Sequence, residues 1–234
     1  MTRAELVTAL KNKISIVDAS DFYSNTVLQG FVNDAHIWCA SLHNWDALYK
    51  KSALIETVED QEAYDVPESE DGEKYKVNGI DYLQIDDEDN DDEILVYRKY
   101  LYKSYLDYTL LNPDGDKKMF TENNDKIYIW PIPGEDDLEV YLYGYVIPDS
   151  FTADADTTFF HGYCPEGEQA LLMKAVALAL DKADRFQEAE YQEQKARAVL
   201  ESIFKKQRQR ASMNTTNTAD WTNKDYFDPT FNIF

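Results

Sequence analysis

The chain has 234 residues, 44% apolar and 14% aromatic, enough to bury a core in one large domain or two small ones, so disorder throughout is excluded. Its formal charge of −22 has the wrong sign for gripping a nucleic-acid backbone, because phosphate contacts need a basic footprint. The opening residues lack the apolar run of a secretory signal and no stretch approaches bilayer length, so a soluble chain of cytosolic origin with no membrane partner is expected.

Leu6, Leu10 and Ile14, then Val27, Phe31, Ala35, Trp38 and Leu42, recur at helical spacing and predict two helices within residues 1–50. Asp18 to Ser24 separates them, and Ser24 stands where its hydroxyl can cap the second. From Ser52 the period falls to two. "ALIETV", "EAYDVP", "EILVYRKY", "KIYIWPIP" and "LEVYLYGYVIP" read as half-buried antiparallel strands, which makes residues 51–150 a small β unit. Asn112-Pro113-Asp114-Gly115 supplies a turn.

Residues 151–210 comprise a polar connector and a helical hairpin. Ala170, Leu171, Ala175, Leu178 and Ala179 form one stripe; Ala189, Ala196, Val199, Leu200, Ile203 and Phe204 form the next, with a break at Asp181 to Arg185. Pro165 suits a first helical turn and Glu166 and Glu168 its positive dipole end, while Lys205, Lys206, Arg208 and Arg210 gather at the negative end of the second helix. Residues 211–234 are different: a polar stretch followed by Trp221, Tyr226, Phe227, Phe231 and Phe234, too short for a core of their own. They are expected to form an extended arm docked on another surface. The whole predicts an α+β fold: a bundle of two N-terminal and two C-terminal helices with an inserted small antiparallel β domain and a C-terminal arm.

Chemistry-bearing patterns are weak throughout. The acidic run Asp86 to Glu93 lacks the glycine and the terminal glutamate of a calcium loop and reads as a solvated connection between strands. Asp154, Asp156 and His161 lack a second ligand cluster, and "DADTT" is read as a connector fixed by side-chain oxygens. Cys39 and Cys164 are isolated, His36 and His43 have no visible catalytic partner, and no nucleophile elbow or phosphate-cradling loop is present. No catalytic residue, metal site or cofactor is expected. A cell-wall or carbohydrate hydrolase using two of the many carboxylates, and a host- or glycan-binding β module, are the competing readings. Lys205, Lys206, Arg208 and Arg210, with the five terminal aromatics, are the candidate partner-binding residues.

The order of these parts resembles the head-to-tail adaptors of tailed bacteriophages, a group that includes the tail accessory factor beneath the portal of short-tailed phages. The resemblance rests on Trp45 after the second helix, the strand entry Tyr64 to Pro67, the aromatic strand of "IYIWPIP", the "TADADTTFF" connector and the helix opening at Pro165-Glu166, and it extends to about Arg210. It implies a ring of about twelve copies, a closed cyclic assembly, docked on the portal and prolonging the DNA channel without sequence-specific DNA contact. It also implies tail or neck proteins below, a place in the virion neck after assembly in the host cytoplasm, and no catalytic residues. The acidic run and the aromatic terminus have no counterpart in the shared pattern.

Overall fold

The computed structural model describes residues 1–14, 23–87, 93–113, 115 and 117–217, without the side chains of 86, 87, 93, 94 and 210–217. Two helices open the chain, α1 (Arg3–Ile14) and α2 (Asn25–Leu42), and a single 3-10 turn at Asp46–Leu48 leads into the sheet. Ser24 caps α2 as its position predicts, its Oγ accepting from the Val27 N–H at 3.4 Å. The strands are β1 (Tyr49–Lys51), β2 (Ile55–Glu56), β3 (Ala63–Asp65), β4 (Tyr75–Asp87), β5 (Glu93–Lys99), β6 (Met119–Asn123), β7 (Lys126–Trp130) and β8 (Glu139–Val146). A third helix, α3 (Tyr102–Leu111), lies between β5 and β6, and α4 (Pro165–Lys182) and α5 (Phe186–Asn217) follow the sheet.

The strand order is β1-β8-β4-β5-β6-β7-β3, with β2 pairing along β8 beside β1. Every neighbour is antiparallel except β5 and β6, which run parallel through Arg98↔Met119 and Lys99↔Phe120, so the sheet is mixed, with α3 as the crossover. β4 and β5 pair antiparallel as far as Asp87↔Glu93, so both ends of the acidic run are strand residues, while 88–92 lie outside the described residues. β6 and β7 are joined by Asn124 and Asp125 at φ 52° and 58°, the two positive values a two-residue hairpin turn of the right twist requires.

These observations correct the predicted bundle with a small inserted β domain. The described residues form five helices and a large curled sheet, a half-barrel, with no division of the core between them. One cluster of buried side chains runs from Leu6, Leu10, Leu28 and Val32 of α1 and α2 through Leu171, Ala175 and Leu200 of α4 and α5 to Ile80, Leu83, Val140 and Leu142 of β4 and β8. Trp45, fully buried, stands where the layers meet, its ring against Phe160 and Phe204 and its Nε1–H donating to Cys39 O at 2.8 Å. The inner side chains of the sheet join the same buried cluster as the helices.

The curl has a local cause. β4 slips register against β8 between Tyr75 and Ile80 and again between Ile80 and Tyr82, and at this bulge the two backbones nearly touch. A Cβ at position 144 would lie 2.5 Å from Gly79 O and 2.6 Å from Ile80 Cα; one at 79 would lie 2.8 Å from Tyr145 O. Only glycine at both positions permits that approach.

On the helical side α4 is the central element, buried on most of its circumference. Pro165 occupies its first turn with Glu166 and Glu168, as the sequence predicts. The α4–α5 hairpin turns at Asp184, φ 58°, and closes with Arg185 N–H donating to Leu180 O at 3.0 Å. α5 then runs antiparallel to α4 and continues through residues 211–217, which composition assigns to an arm. Residues 218–234 lie outside the described residues.

Candidate interaction surfaces

α5 is fastened to the body along its first half. Ala189, Ala196 and Leu200 bury against the helical layer. Lys174, nine-tenths buried on α4, holds Glu193 at 2.5 Å, and the ammonium beside Glu193 keeps that carboxyl below its ordinary range. The Lys174 ammonium also sits 4.7 Å from the Trp38 ring centre and the Arg197 guanidinium 5.4 Å from it, so α2, α4 and α5 are registered on one indole.

The last clamp is Phe204. Its ring stacks on His43 at 4.3 Å and 7° and meets Trp45 edge-on at 5.9 Å. Beyond it no residue of the stretch Lys205 to Gln209 is buried. Lys205, Lys206 and Arg208 are exposed there, with no carboxylate at ion-pair distance among the described residues; Arg208 instead lies 5.9 Å from the Phe204 ring centre. The structure thus brings three of the four predicted basic residues to one protruding helix end. The side chain of Arg210, and Trp221, Tyr226, Phe227, Phe231 and Phe234, lie outside the described residues.

The connector carboxylates do what local chemistry asks of them. Asp156 Oδ2 accepts from the N–H groups of Thr152 at 2.6 Å and Ala153 at 2.7 Å, bonds that hold the carboxyl below its ordinary range. Asp154 receives the Arg3 guanidinium at 2.7 and 3.2 Å, and its carbonyl accepts from the Ala4 N–H at 3.2 Å, so the connector is tied to the start of α1. His161 lies by Glu168, separate from this pair. Among the described residues no group of three His, Cys, Asp or Glu side chains is placed to hold a metal ion.

His36 is buried between the rings of Phe151 at 4.4 Å and Phe159 at 5.2 Å, its Nε2 accepting from the Phe159 N–H at 3.4 Å. Burial depresses its pKa to about 4, so it is a neutral packing group at physiological pH. Cys39 and Cys164 are buried free thiols, and burial pushes both above the ordinary thiol range, away from the nucleophilic thiolate. No described helix is long and apolar enough to cross a membrane.

Two surfaces escaped the sequence reading. The outer face of the sheet carries Tyr82 stacked on Tyr143 at 4.6 Å and Tyr49 edge-on to Tyr145 at 5.0 Å. The strand alternation contained this signal, but period two does not say which face is covered. α3 carries Leu101 at its N-terminal boundary and Leu110 and Leu111 in its last turn, each about four-fifths exposed. Its leucines at i, i+4 and i+5 from Leu106 were hidden in an aromatic stretch that continues the look of a strand.

No curated protein matches the sequence. A family model, that of the SU10 adaptor protein, matches residues 1–220, nearly the whole of the chain and every described element. With that coverage, a protruding helix end and exposed apolar faces agree with a protein whose work is to join others, and the chain belongs to the SU10 adaptor protein family, the phage head-to-tail adaptors.

Proposed function

We propose that the chain is a structural neck protein of the virion that assembles, in the host cytoplasm, as a ring of about twelve copies beneath the portal. The ring extends the DNA channel and offers the tail its attachment platform. Within it the basic end of α5, Lys205, Lys206, Arg208 and Arg210, and the aromatics Trp221, Tyr226, Phe227, Phe231 and Phe234 contact the portal or a neighbouring copy. One observation carries this reading. The Lys174–Glu193 contact aligns the antiparallel α4 and α5 so that α5 outruns the start of α4, and its last stretch, from Lys205 to Asn217, spans roughly 20 Å of helix at 1.5 Å per residue. A helix end without packing of its own gains stability from a partner that covers it.

The charge fits a conduit. Acidic walls repel phosphate, so duplex slides where basic walls would hold it. A strongly basic lumen would contradict this part of the proposal.

The test is the native mass of the purified chain alone and with its cognate portal, for the full chain and for one ending at Asn217. The full chain is expected to form a large ring on the portal; the shortened chain is expected to keep its fold and assemble weakly. A full chain that stays monomeric beside the portal would refute the ring. Peptidoglycan turnover abolished by a single carboxylate substitution would replace the structural role with a hydrolytic one, and specific retention on a glycan array would replace it with a binding module.

A further inference from the structure

The outer face of the sheet is covered at one end and open at the other. At the β6–β7 end α3 lies over it: Tyr105 is fully buried, its ring 6.4 Å from that of Tyr128 and its hydroxyl 2.9 Å from Glu62 Oε1 and 3.1 Å from Ile129 O. At the other end the pairs Lys51↔Tyr143, Tyr82↔Tyr143 and Tyr82↔Arg98 set one row of side chains across β1, β8, β4 and β5. Tyr82 and Tyr143 stack at its centre, 14° from parallel. The Tyr49–Tyr145 pair lies on one side of this row and Tyr141, Gln84 and Val96 on the other, with Val96 49% exposed. A continuous face of tyrosines, broad and rigid with polar tips, is the chemistry of a protein-recognition surface.

The chain itself contains a segment of matching form. Phe227, Pro229, Phe231 and Ile233 alternate with Asp228, Thr230 and Asn232, a sequence that has one apolar edge when extended. Six steps of about 3.3 Å make that edge about 20 Å long, and four strands about 4.8 Å apart span about 14 Å between the outer two, so one crossing of the open part uses the whole segment. Pro229 has no N–H to give to a ladder, which fits a strap lying across the face and not a strand added to its edge. Charge agrees. The central row ends on Lys51, which holds Glu70 only at 3.8 Å, and on Arg98, while Asp225 and Asp228 are the only charged side chains in residues 225–233. Glu139, farther along β8, is taken up by the Tyr141 hydroxyl at 2.6 Å.

We propose that residues 227–233 of one copy lie across the tyrosine face of the next. The inference rests on the ring proposed above and names a receptor for its aromatic terminus. α5 carries the chain roughly 20 Å onward from Lys205 to Asn217, and residues 218–226 add a reach of up to about 30 Å at about 3.3 Å per residue. That outward start delivers the segment to a neighbour, whereas reaching its own sheet means retracing the helix. Arm and face are different surfaces, so the contact is heterologous. Each copy gives one arm and receives one, which passes the contact from copy to copy until a ring closes.

Disulfide trapping tests this in the full chain, whose native thiols are buried. Whichever way the segment crosses, its middle falls on the middle of the face, so Phe231→Cys and Tyr143→Cys are the positions to join. Mixed in equal amounts with the cognate portal and mildly oxidised, the two variants are expected to give a covalent two-chain product in a yield that neither approaches alone. Phe227→Ser with Phe231→Ser in one chain, and Tyr143→Glu in another, are each expected to weaken assembly on the portal roughly ten-fold. All three substitutions in one chain are expected to cost no more than either set, because they break the two sides of one contact. Circular dichroism checks that each variant is folded. Folded cysteine variants that form a ring but no mixed product overturn the inference and leave the ring standing, and so do losses that multiply. A chain carrying both cysteines that closes on itself without the portal makes its own sheet the receptor and equally overturns it. Wild-type chain that forms no ring refutes the ring, and this inference with it.

Discussion

Replacing His36 by glutamine separates its titration from every other source of pH dependence. The imidazole is stacked between Phe151 and Phe159, and with Nε2 accepting from Phe159 its proton sits on Nδ1, a buried atom without a partner among the described residues. The unfolded chain takes up a second proton near the ordinary pKa of 6.5, the folded chain only near 4. Because the folded value is the lower one, the unfolded state binds more protons between the two, and stability falls as pH drops through that window. Above pH 6.5 both states are neutral and the contribution is intact. The gap corresponds to about 3 kcal/mol once pH falls below the folded value, and to about 2 kcal/mol at about pH 5. Urea unfolding followed by tryptophan fluorescence between about pH 7.5 and about pH 5 reads the difference. The carboxylates are common to both proteins and cancel in the comparison, and glutamine still accepts from the Phe159 N–H. The wild type should lose about 2 kcal/mol more than His36→Gln over that range. Parallel stability curves would show that the imidazole is not sealed in the core and would refute the reasoning.

Gly144→Ala should cost about 3 kcal/mol, because the new methyl meets backbone of β4 at 2.5 Å and backbone cannot step aside; thermal unfolding checks this, and an unchanged Tm would show that the β4 bulge is not a tight crossing. Tyr105→Ala should remove the anchor of α3 at about 3 kcal/mol, and hydrogen exchange should then quicken through Tyr102–Leu111 while α4 stays protected. Unaltered protection of α3 would mean that contacts other than Tyr105 hold it.

Local chemistry was legible wherever a residue acts on its own neighbours. Ser24 caps α2, Pro165 opens α4, the break at Asp181 to Arg185 is the hairpin, and Asp154 and Asp156 shape a connector. The long-range features were not. β4 is hidden from a period-two pattern because Asn78 and Gly79 interrupt its alternation, yet those residues make the bulge that curls the sheet. α3 is masked in the sequence because Tyr100, Tyr102 and Tyr108 prolong an aromatic rhythm, and the leucines that mark its period face outward. The parallel pairing of β5 with β6 depends on where a crossover lands, which no local period encodes. The basic end of α5 was legible as a cluster, but its protrusion follows from the relative lengths and alignment of two helices.

The buried indole of Trp45 has a mechanical meaning. Phe160 and Phe204 pack on it from the connector and from α5, and the inner side chains of the sheet join the same cluster, so helices and sheet share one interior. In the neck proposed above, the give as the genome leaves would then lie in the seams between chains, with each subunit passing the force on as a stiff strut.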